Sequence, residues 1–285
     1  MDDEPNMFAP MHPRLSLSAI TTLTWSFTQD LEFWHRLGLR CVGLFERKLD
    51  SFGHQHAIEL LQQAGMKCSS VIAHPFSLFD PSRWPEERAA MNRCVDVARV
   101  LGGAVYGPPG KGAINQWSEN AARYADAVAP CVDYARECGV TLAFEPSLRP
   151  NVSFVHNLRD SIELADRSGT AIVIDIGNCY HERDVMAWID RVGERIAIVQ
   201  VSDVAIGTID APGAGVRGLP GEGELPLRSF LECAIAAGYM GPFEIEFLGT
   251  ADVDEAAFSR SVAGMNALVS AVTGEFDAWR PDSLR

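Results

Sequence analysis

The feature that most constrains this chain is an alternation. Eight short apolar runs, Leu15–Ile20, Cys41–Phe45, Cys68–Ala73, Ala104–Tyr106, Thr141–Phe144, Ala171–Ile174, Ile196–Val201 and Pro242–Phe247, are separated by longer amphipathic stretches. The runs are rich in Val, Ile and Leu, the composition of strands covered on both faces. The stretches Asp30–Leu37, Gln55–Ala64, Glu86–Leu101, Ser118–Cys138, Asn157–Arg167, Asp184–Val192, Leu227–Ala237 and Glu255–Val272 carry apolar residues at helical spacing. Gly38, Gly65, Gly102, Gly139 and Gly238 each stand just before an apolar run, where a C-cap glycine turns the chain out of a helix. Eight βα units in succession predict an α/β fold, a single (β/α)8 TIM barrel. It is expected to take in residues 1–285 as one domain, with a core over about 15–270 and short extensions at both ends. An open doubly wound sheet is the alternative. It lacks support, because no GxGxxG follows the first run and no GxxxxGK[ST] occurs anywhere.

The formal net charge of −14 repels phosphate backbones, which argues against a nucleic-acid partner. The seven cysteines, Cys41, Cys68, Cys94, Cys131, Cys138, Cys179 and Cys233, are scattered, odd in number and form no CxxC. They read as reduced thiols rather than a disulfide framework. Residues Met1 to Pro13 are acidic and contain no apolar segment of the signal-peptide kind. No apolar run approaches the ~20 residues that span a bilayer. A cytoplasmic protein away from the membrane is the expectation.

Barrel enzymes build their sites at the C-terminal ends of the strands. The polar residues there are Glu145 in "TLAFEP", Asp175 in "AIVIDIGN", Gln200 and Asp203 in "IAIVQVSD", and Glu244 and Glu246 in "PFEIEF". Carboxylates inside apolar runs are costly to bury. Three of them at one mouth repel one another unless a cation sits between them. Three carboxylates and a carboxamide oxygen make a hard, all-oxygen donor set, which suits Mg²⁺ or Mn²⁺ better than zinc. A lone Glu at a strand end is usually a cap or an ion-pair partner; four such residues at four successive strand ends are harder to explain that way. Glu244 and Glu246 share a face because side chains alternate along a strand. Glu246 is preferred as the one nearer the C-terminal end.

The segments "LAFEP", "VIDIGN", "IAIVQVSD", "RGLPGEGELP" and "GYMGPFEIEF", in this order and spacing, resemble the xylose-isomerase-like barrel family, the sugar phosphate isomerases and epimerases. The resemblance covers roughly residues 15–270. It implies one divalent metal ion, Mn²⁺ or Mg²⁺, held by Glu145, Asp175, Gln200 and Glu246, with Glu145 and Glu246 as the catalytic pair. Most members carry His where this chain has Gln200. The hydroxypyruvate isomerases resemble it in having Gln, followed by an Arg and a Gly-Glu loop, here Arg217 and Gly221–Glu224. Arg217 would then bind a carboxylate, phosphate or distal hydroxyl of the substrate. The family usually places a His three residues after the Asp of the sixth strand, to contact a substrate oxygen. This chain has Asn178 there, with His181 nearby.

Further candidates lie in the loops of the same face. His74 in "VIAHPF" is a candidate substrate contact, acid or base, with a structural histidine as the other reading. Glu46 and Lys48 in "LFERKLD" read as solvated loop charges rather than mouth residues. Arg149 stands close to Glu145 as an anion binder. "YGPPGKG" reads as an ordinary turn, since its two prolines remove amide donors. Trp117, with Trp25, Phe76 and Phe79, is expected to form an apolar rim over a substrate.

These residues predict a divalent-metal-dependent isomerase or epimerase. It would act on a keto-sugar, polyol derivative or related hydroxy-carbonyl compound, by proton transfer through a metal-bound enediolate. The alternative is a metal-dependent lyase on the same scaffold, a dehydratase or a deglycosidase of an oxidised sugar. A trinuclear-zinc nuclease like endonuclease IV needs many His ligands, and only His74, His156 and His181 are placed for it. A binding subunit without turnover is the third reading, and it leaves the four ligand types without a task. Relatives of this kind are often dimers or tetramers, so a homo-oligomer belongs to what the resemblance implies.

Overall fold

The computed structural model describes residues 10–207, 216–248 and 254–274. The strands are β1 (Leu15–Ser18), β2 (Cys41–Phe45), β3 (Lys67–Ile72), β4 (Ala104–Gly107), β5 (Leu142–Phe144), β6 (Ala171–Asp175), β7 (Ile196–Val201), β8 (Asp203–Ala205), β9 (Val216–Gly218) and β10 (Phe243–Ile245). Eight of them pair in parallel and close into a barrel in the order β1-β10-β7-β6-β5-β4-β3-β2, while β8 and β9 form a separate antiparallel pair. All eight apolar runs of the sequence are therefore barrel strands. The nine N-terminal residues and the tail after Gly274, expected as short extensions, lie outside the described residues.

The helices are α1 (Phe27–Leu37), α2 (Glu46–Phe52), α3 (His54–Gln63), α4 (Trp84–Leu101), α5 (Trp117–Glu137), α6 (Leu158–Ser168), α7 (Ile176–Cys179), α8 (Val185–Val192), α9 (Leu227–Ala236) and α10 (Glu255–Thr273). The ends are locally encoded. The Ser26 hydroxyl accepts from the Gln29 N–H, and the Gln29 side chain accepts from the Ser26 N–H, a reciprocal capping box that starts α1. Gly38, at φ 71°, ends it in the left-handed region that a side chain resists. No helix of the described residues is long and apolar enough to cross a membrane.

Three elements were not foreseen: α2, α7 and the β8–β9 hairpin. Helix α2 corrects the reading of Glu46 and Lys48 as solvated charges. It starts directly off β2 and turns both side chains inward, where they are buried. Lys48 Nζ donates to Asp30 Oδ2 at 2.5 Å and to the Thr22 carbonyl at 2.8 Å. Glu46 accepts the His74 N–H at 3.1 Å.

Strand residues alternate between two cores. Val105, Leu142, Phe144, Ile172 and Ile174 join the large layer between strands and helices. Ala104, Tyr106, Ala143 and Val173 take the other face, in a small cluster inside the barrel. Beside that cluster the interior is polar. The β2–β3 register slips at Val42/Gly43, so that Ser69 is the extra residue of a bulge. The Ser69 and Ser70 hydroxyls therefore both reach the fully buried carboxylate of Glu244. Gly43 makes room for that carboxylate, since a Cβ there would collide with Glu244 Oε2.

Candidate functional site

Strands β5, β6, β7 and β10 are neighbours in the barrel, and their C-terminal ends deliver four polar side chains. Glu145 follows β5, and its N–H donates to the Gly107 carbonyl at 3.1 Å. Asp175 ends β6 and caps α7 by accepting the Gly177 N–H at 2.9 Å. Gln200 lies in β7, in register with Asp175 on one side and Glu244 on the other. Glu246 follows β10, and its N–H donates to the Val201 carbonyl at 3.0 Å. All four are buried.

Arg217 enters from the hairpin, where β9 folds it back over β8. Its Nη2 donates to both oxygens of Asp175 at 2.8 Å and to Ser202 Oγ at 2.9 Å. This approach requires glycine at position 177, because a Cβ there would lie 2.5 Å from Ser202 Oγ and 2.6 Å from Arg217 Nε. Asn178 Nδ2 donates to Glu145 Oε1 at 2.8 Å and to the Pro146 carbonyl at 3.2 Å. The residue that stands in place of the family's His thus holds a carboxylate of the site.

The electrostatics follow from burial. Burial first, and then the negative charge of Asp175, push Glu145 up to about 8, while Arg217 and Arg149 pull the other way. Glu246 is raised well above the usual carboxylate range by burial and by the charges of Glu145 and Glu244. Glu244 is raised by burial, against the hydrogen bonds of Ser69 and Ser70. Negative charge therefore exceeds what Arg217 balances, and the site favours a proton or a further cation.

Gln200 gives the most direct indication of what that cation would meet. Its Nε2 donates to Glu246 Oε2 at 2.6 Å, to Glu244 Oε1 at 3.2 Å and to the Tyr106 hydroxyl. Its Oε1 is buried without a hydrogen-bond partner. Buried polar atoms are rarely left so, and an orphaned carboxamide oxygen beside carboxylates is a donor of the kind Mg²⁺ or Mn²⁺ takes. The donor set fits a hard divalent ion in kind. Its arrangement is not a closed cage: among the described residues no group of three or more His, Cys, Asp or Glu is drawn together closely enough to hold a metal. Asp175 is engaged by Arg217 and Glu145 by Asn178, so the charge that the carboxylates require is supplied in part by a guanidinium.

Among the described residues no hydrogen bond joins the remaining candidates to these four side chains, although the charge of Arg149 acts on Glu145. His74 is half-buried, and its Nε2 accepts from Arg47 Nε at 3.1 Å. His181 is exposed and meets the Tyr180 ring edge-on at 5.5 Å. Trp117 is half-buried, donates its indole N–H to Glu163 Oε1 at 3.0 Å, and lines a cavity of about 760 Å³ with Ile114, Phe154 and His156. Arg149 is exposed. Trp25 packs on Phe33 and Phe76 is buried, whereas Phe79 is exposed under the Arg123 guanidinium. Asp203 accepts the N–H groups of Val204, Gly221 and Leu225, which ties the Gly221–Glu224 loop to β8.

Two contributors escaped the sequence reading. Ser202 receives Arg217 Nε and Nη2. Tyr106, at the C-terminal end of β4, donates its hydroxyl to Glu246 Oε2 at 2.5 Å. Its signal is the one that marks Glu145, a polar group closing an apolar run, here at the head of the "YGPPGKG" segment that reads as an ordinary turn.

Comparison with known proteins gives a consistent picture. The family model described as "Xylose isomerase-like TIM barrel" matches residues 31–265. Fructoselysine 3-epimerase of Escherichia coli O157:H7 is 26% identical over 131 residues, which are 44% of this chain and 45% of that protein. The match thus spans less than half the length of that curated relative. A xylose isomerase domain protein from Alicyclobacillus acidocaldarius, 20% identical, superposes with a TM-score of 0.76 over 92% of this chain and 99% of its own. The IolI protein, whose crystal structure holds a zinc atom, is 18% identical and superposes with a TM-score of 0.75 over 93% and 99%. At these identities the two structures speak for the fold alone.

Proposed function

Because the chain belongs to the xylose isomerase-like TIM barrel family, we propose that it is a divalent-metal-dependent isomerase or epimerase of a keto-sugar or related hydroxy-carbonyl compound. One observation carries the reading. Two buried carboxylates, Glu145 and Glu246, are each raised in proton affinity at the mouth of the barrel. General acid–base groups work best when their proton affinity lies near the working pH. One carboxylate takes the proton from the carbon beside the carbonyl, and a carboxylate returns it. Return to the opposite face of the same carbon gives epimerisation; return to the neighbouring carbon gives isomerisation.

The surrounding residues hold this pair in place. Asn178 fixes Glu145 through Oε1. Tyr106 and Gln200 both bind Oε2 of Glu246, which leaves Oε1 clear of both. Arg217 orients Asp175, and its side chain, still 29% exposed, is also available to a polar group of the substrate. Glu145, Asp175, Gln200 and Glu246 would hold the metal. Bound there, Mn²⁺ or Mg²⁺ supplies Lewis-acid polarisation of the carbonyl, which acidifies the adjacent C–H. The activity of the E. coli relative, an epimerase, and the zinc atom of the IolI structure support this reading.

The test begins with metal content by elemental mass spectrometry on wild type, Glu145→Gln and Glu246→Gln. About one equivalent of a divalent ion in wild type, reduced in both variants, is expected. Wild type should then exchange substrate C–H for solvent deuterium within a panel of keto-sugars. Loss of water or of an aglycone in the products would move the assignment to a lyase. A wild-type protein that neither contains a metal nor gains one on adding Mn²⁺ overturns the proposal.

A further inference from the structure

Tyr106 reaches the site from the far side of the barrel. In the strand order β4 stands opposite β10, with three strands between them on either side. The ring lies fully buried in the small interior cluster with Ile72, Ala104, Ala143 and Val173. Its hydroxyl meets Glu246, 140 positions away in the chain, and Gln200, 94 away.

A phenol has one hydrogen to give. Glu246 Oε2 takes it at 2.5 Å. Gln200 therefore has to offer its N–H to the phenol oxygen, and its two amide hydrogens are shared among that oxygen, Glu246 at 2.6 Å and Glu244 at 3.2 Å. A reversed amide would set its oxygen against two carboxylates and a hydroxyl whose hydrogen is already used. Glu244 is itself fastened by Ser69 and Ser70, so it does not turn aside. The amide has one orientation, and Oε1 is the atom left over.

We infer that Tyr106 is a positioning residue that, from across the barrel and together with the carboxylate of Glu244, fixes which atom of Gln200 and which oxygen of Glu246 remain open to a cation. The inference rests on the metal-dependent reading above for its consequence, not for its geometry. Gln200 becomes an oxygen donor rather than an amide nitrogen facing the ion, and Glu246 a carboxylate offered through Oε1.

The experiment is Tyr106→Phe, which removes one oxygen and keeps the ring in its cluster. Val173→Ala, in the same cluster but outside the hydrogen bonds, is the control for loosened packing. In metal-free protein, NMR of the Gln200 side-chain amide, assigned by its absence in Gln200→Met, reads the orientation directly. Tyr106→Phe should shift both amide hydrogens, since their acceptors fall from three to two and both hydrogens settle on Glu246 and Glu244. Mn²⁺ binding, followed by electron paramagnetic resonance of the free ion, should weaken about 10–100-fold, the usual effect of removing a partner that orients a ligand. Val173→Ala should leave the amide signals and the Mn²⁺ affinity near wild type. Amide signals that do not respond to Tyr106→Phe overturn the inference, as does an equal effect of Val173→Ala. A wild type that binds no Mn²⁺, but whose Gln200 signals respond, refutes the metal reading and upholds the positioning.

Discussion

Glu145→Gln separates the proton that Glu145 holds from the space it fills. The side chain keeps its size, and the new carboxamide oxygen still accepts from Asn178, as Glu145 Oε1 does at 2.8 Å. Burial and the charge of Asp175 push Glu145 up to about 8 in the folded chain, against ~4.3 for an unfolded glutamate. The folded chain therefore retains a proton that the unfolded chain releases. The associated cost is absent below about pH 4, grows as pH rises between the two values, and levels off above about pH 8. At ~1.4 kcal/mol per pH unit, metal-free wild type gives up about 1 kcal/mol by pH 5, about 4 by pH 7 and about 5 by pH 9 from this one group. Glu145→Gln is free of that cost, while the other carboxylates remain in both proteins. Urea unfolding of the two metal-free proteins from pH 5 to pH 9 should show the variant gaining on wild type by about 4 kcal/mol across the range. Saturating Mn²⁺ should reverse the order at high pH, because a cation favours the ionised carboxylate of wild type. Parallel curves for the two proteins, with no gain for the variant at alkaline pH, would refute the argument that burial raises Glu145.

Two other perturbations probe the supports of the site. Lys48→Met strips the buried Asp30 of its charged partner and should destabilise the protein by about 3–5 kcal/mol, with most of the loss recovered in Lys48→Met/Asp30→Asn; denaturant midpoints of the single and double variants check this. Gly177→Ala places a Cβ 2.6 Å from Arg217 Nε. It should drive Arg217 off Asp175, lower turnover at least tenfold and cost about 1–3 kcal/mol of stability, read by kinetics and by thermal melting; an unchanged protein would show that the Arg217–Asp175 contact is dispensable.

Local patterns were legible where their causes are local. The helices show in apolar spacing and in glycines such as Gly38, because capping and amphipathicity act within a few residues. Glu145, Asp175, Gln200 and Glu246 could be picked out because a polar group that closes a strand is conspicuous against its apolar run. Lys48 was misread because its partner Asp30 is 18 positions away and its burial depends on how α2 lies against the barrel. The sequence offers Arg217 as a substrate anchor, but its contact with Asp175, 42 positions away, shows only once the hairpin has folded.

The sequence by itself determined the alternation of strand and helix, the barrel that follows from it, and four of the side chains that arrive at one end. Tertiary structure alone decided what those side chains do to one another. Tyr106 sets the amide of Gln200 from across the barrel, Ser69 and Ser70 hold Glu244, and Asn178 holds Glu145 from the neighbouring strand end. The physical reason is that proton affinity and hydrogen-bond direction depend on distances between strands that are remote in the chain, and on the exclusion of water that only closure of the barrel brings about.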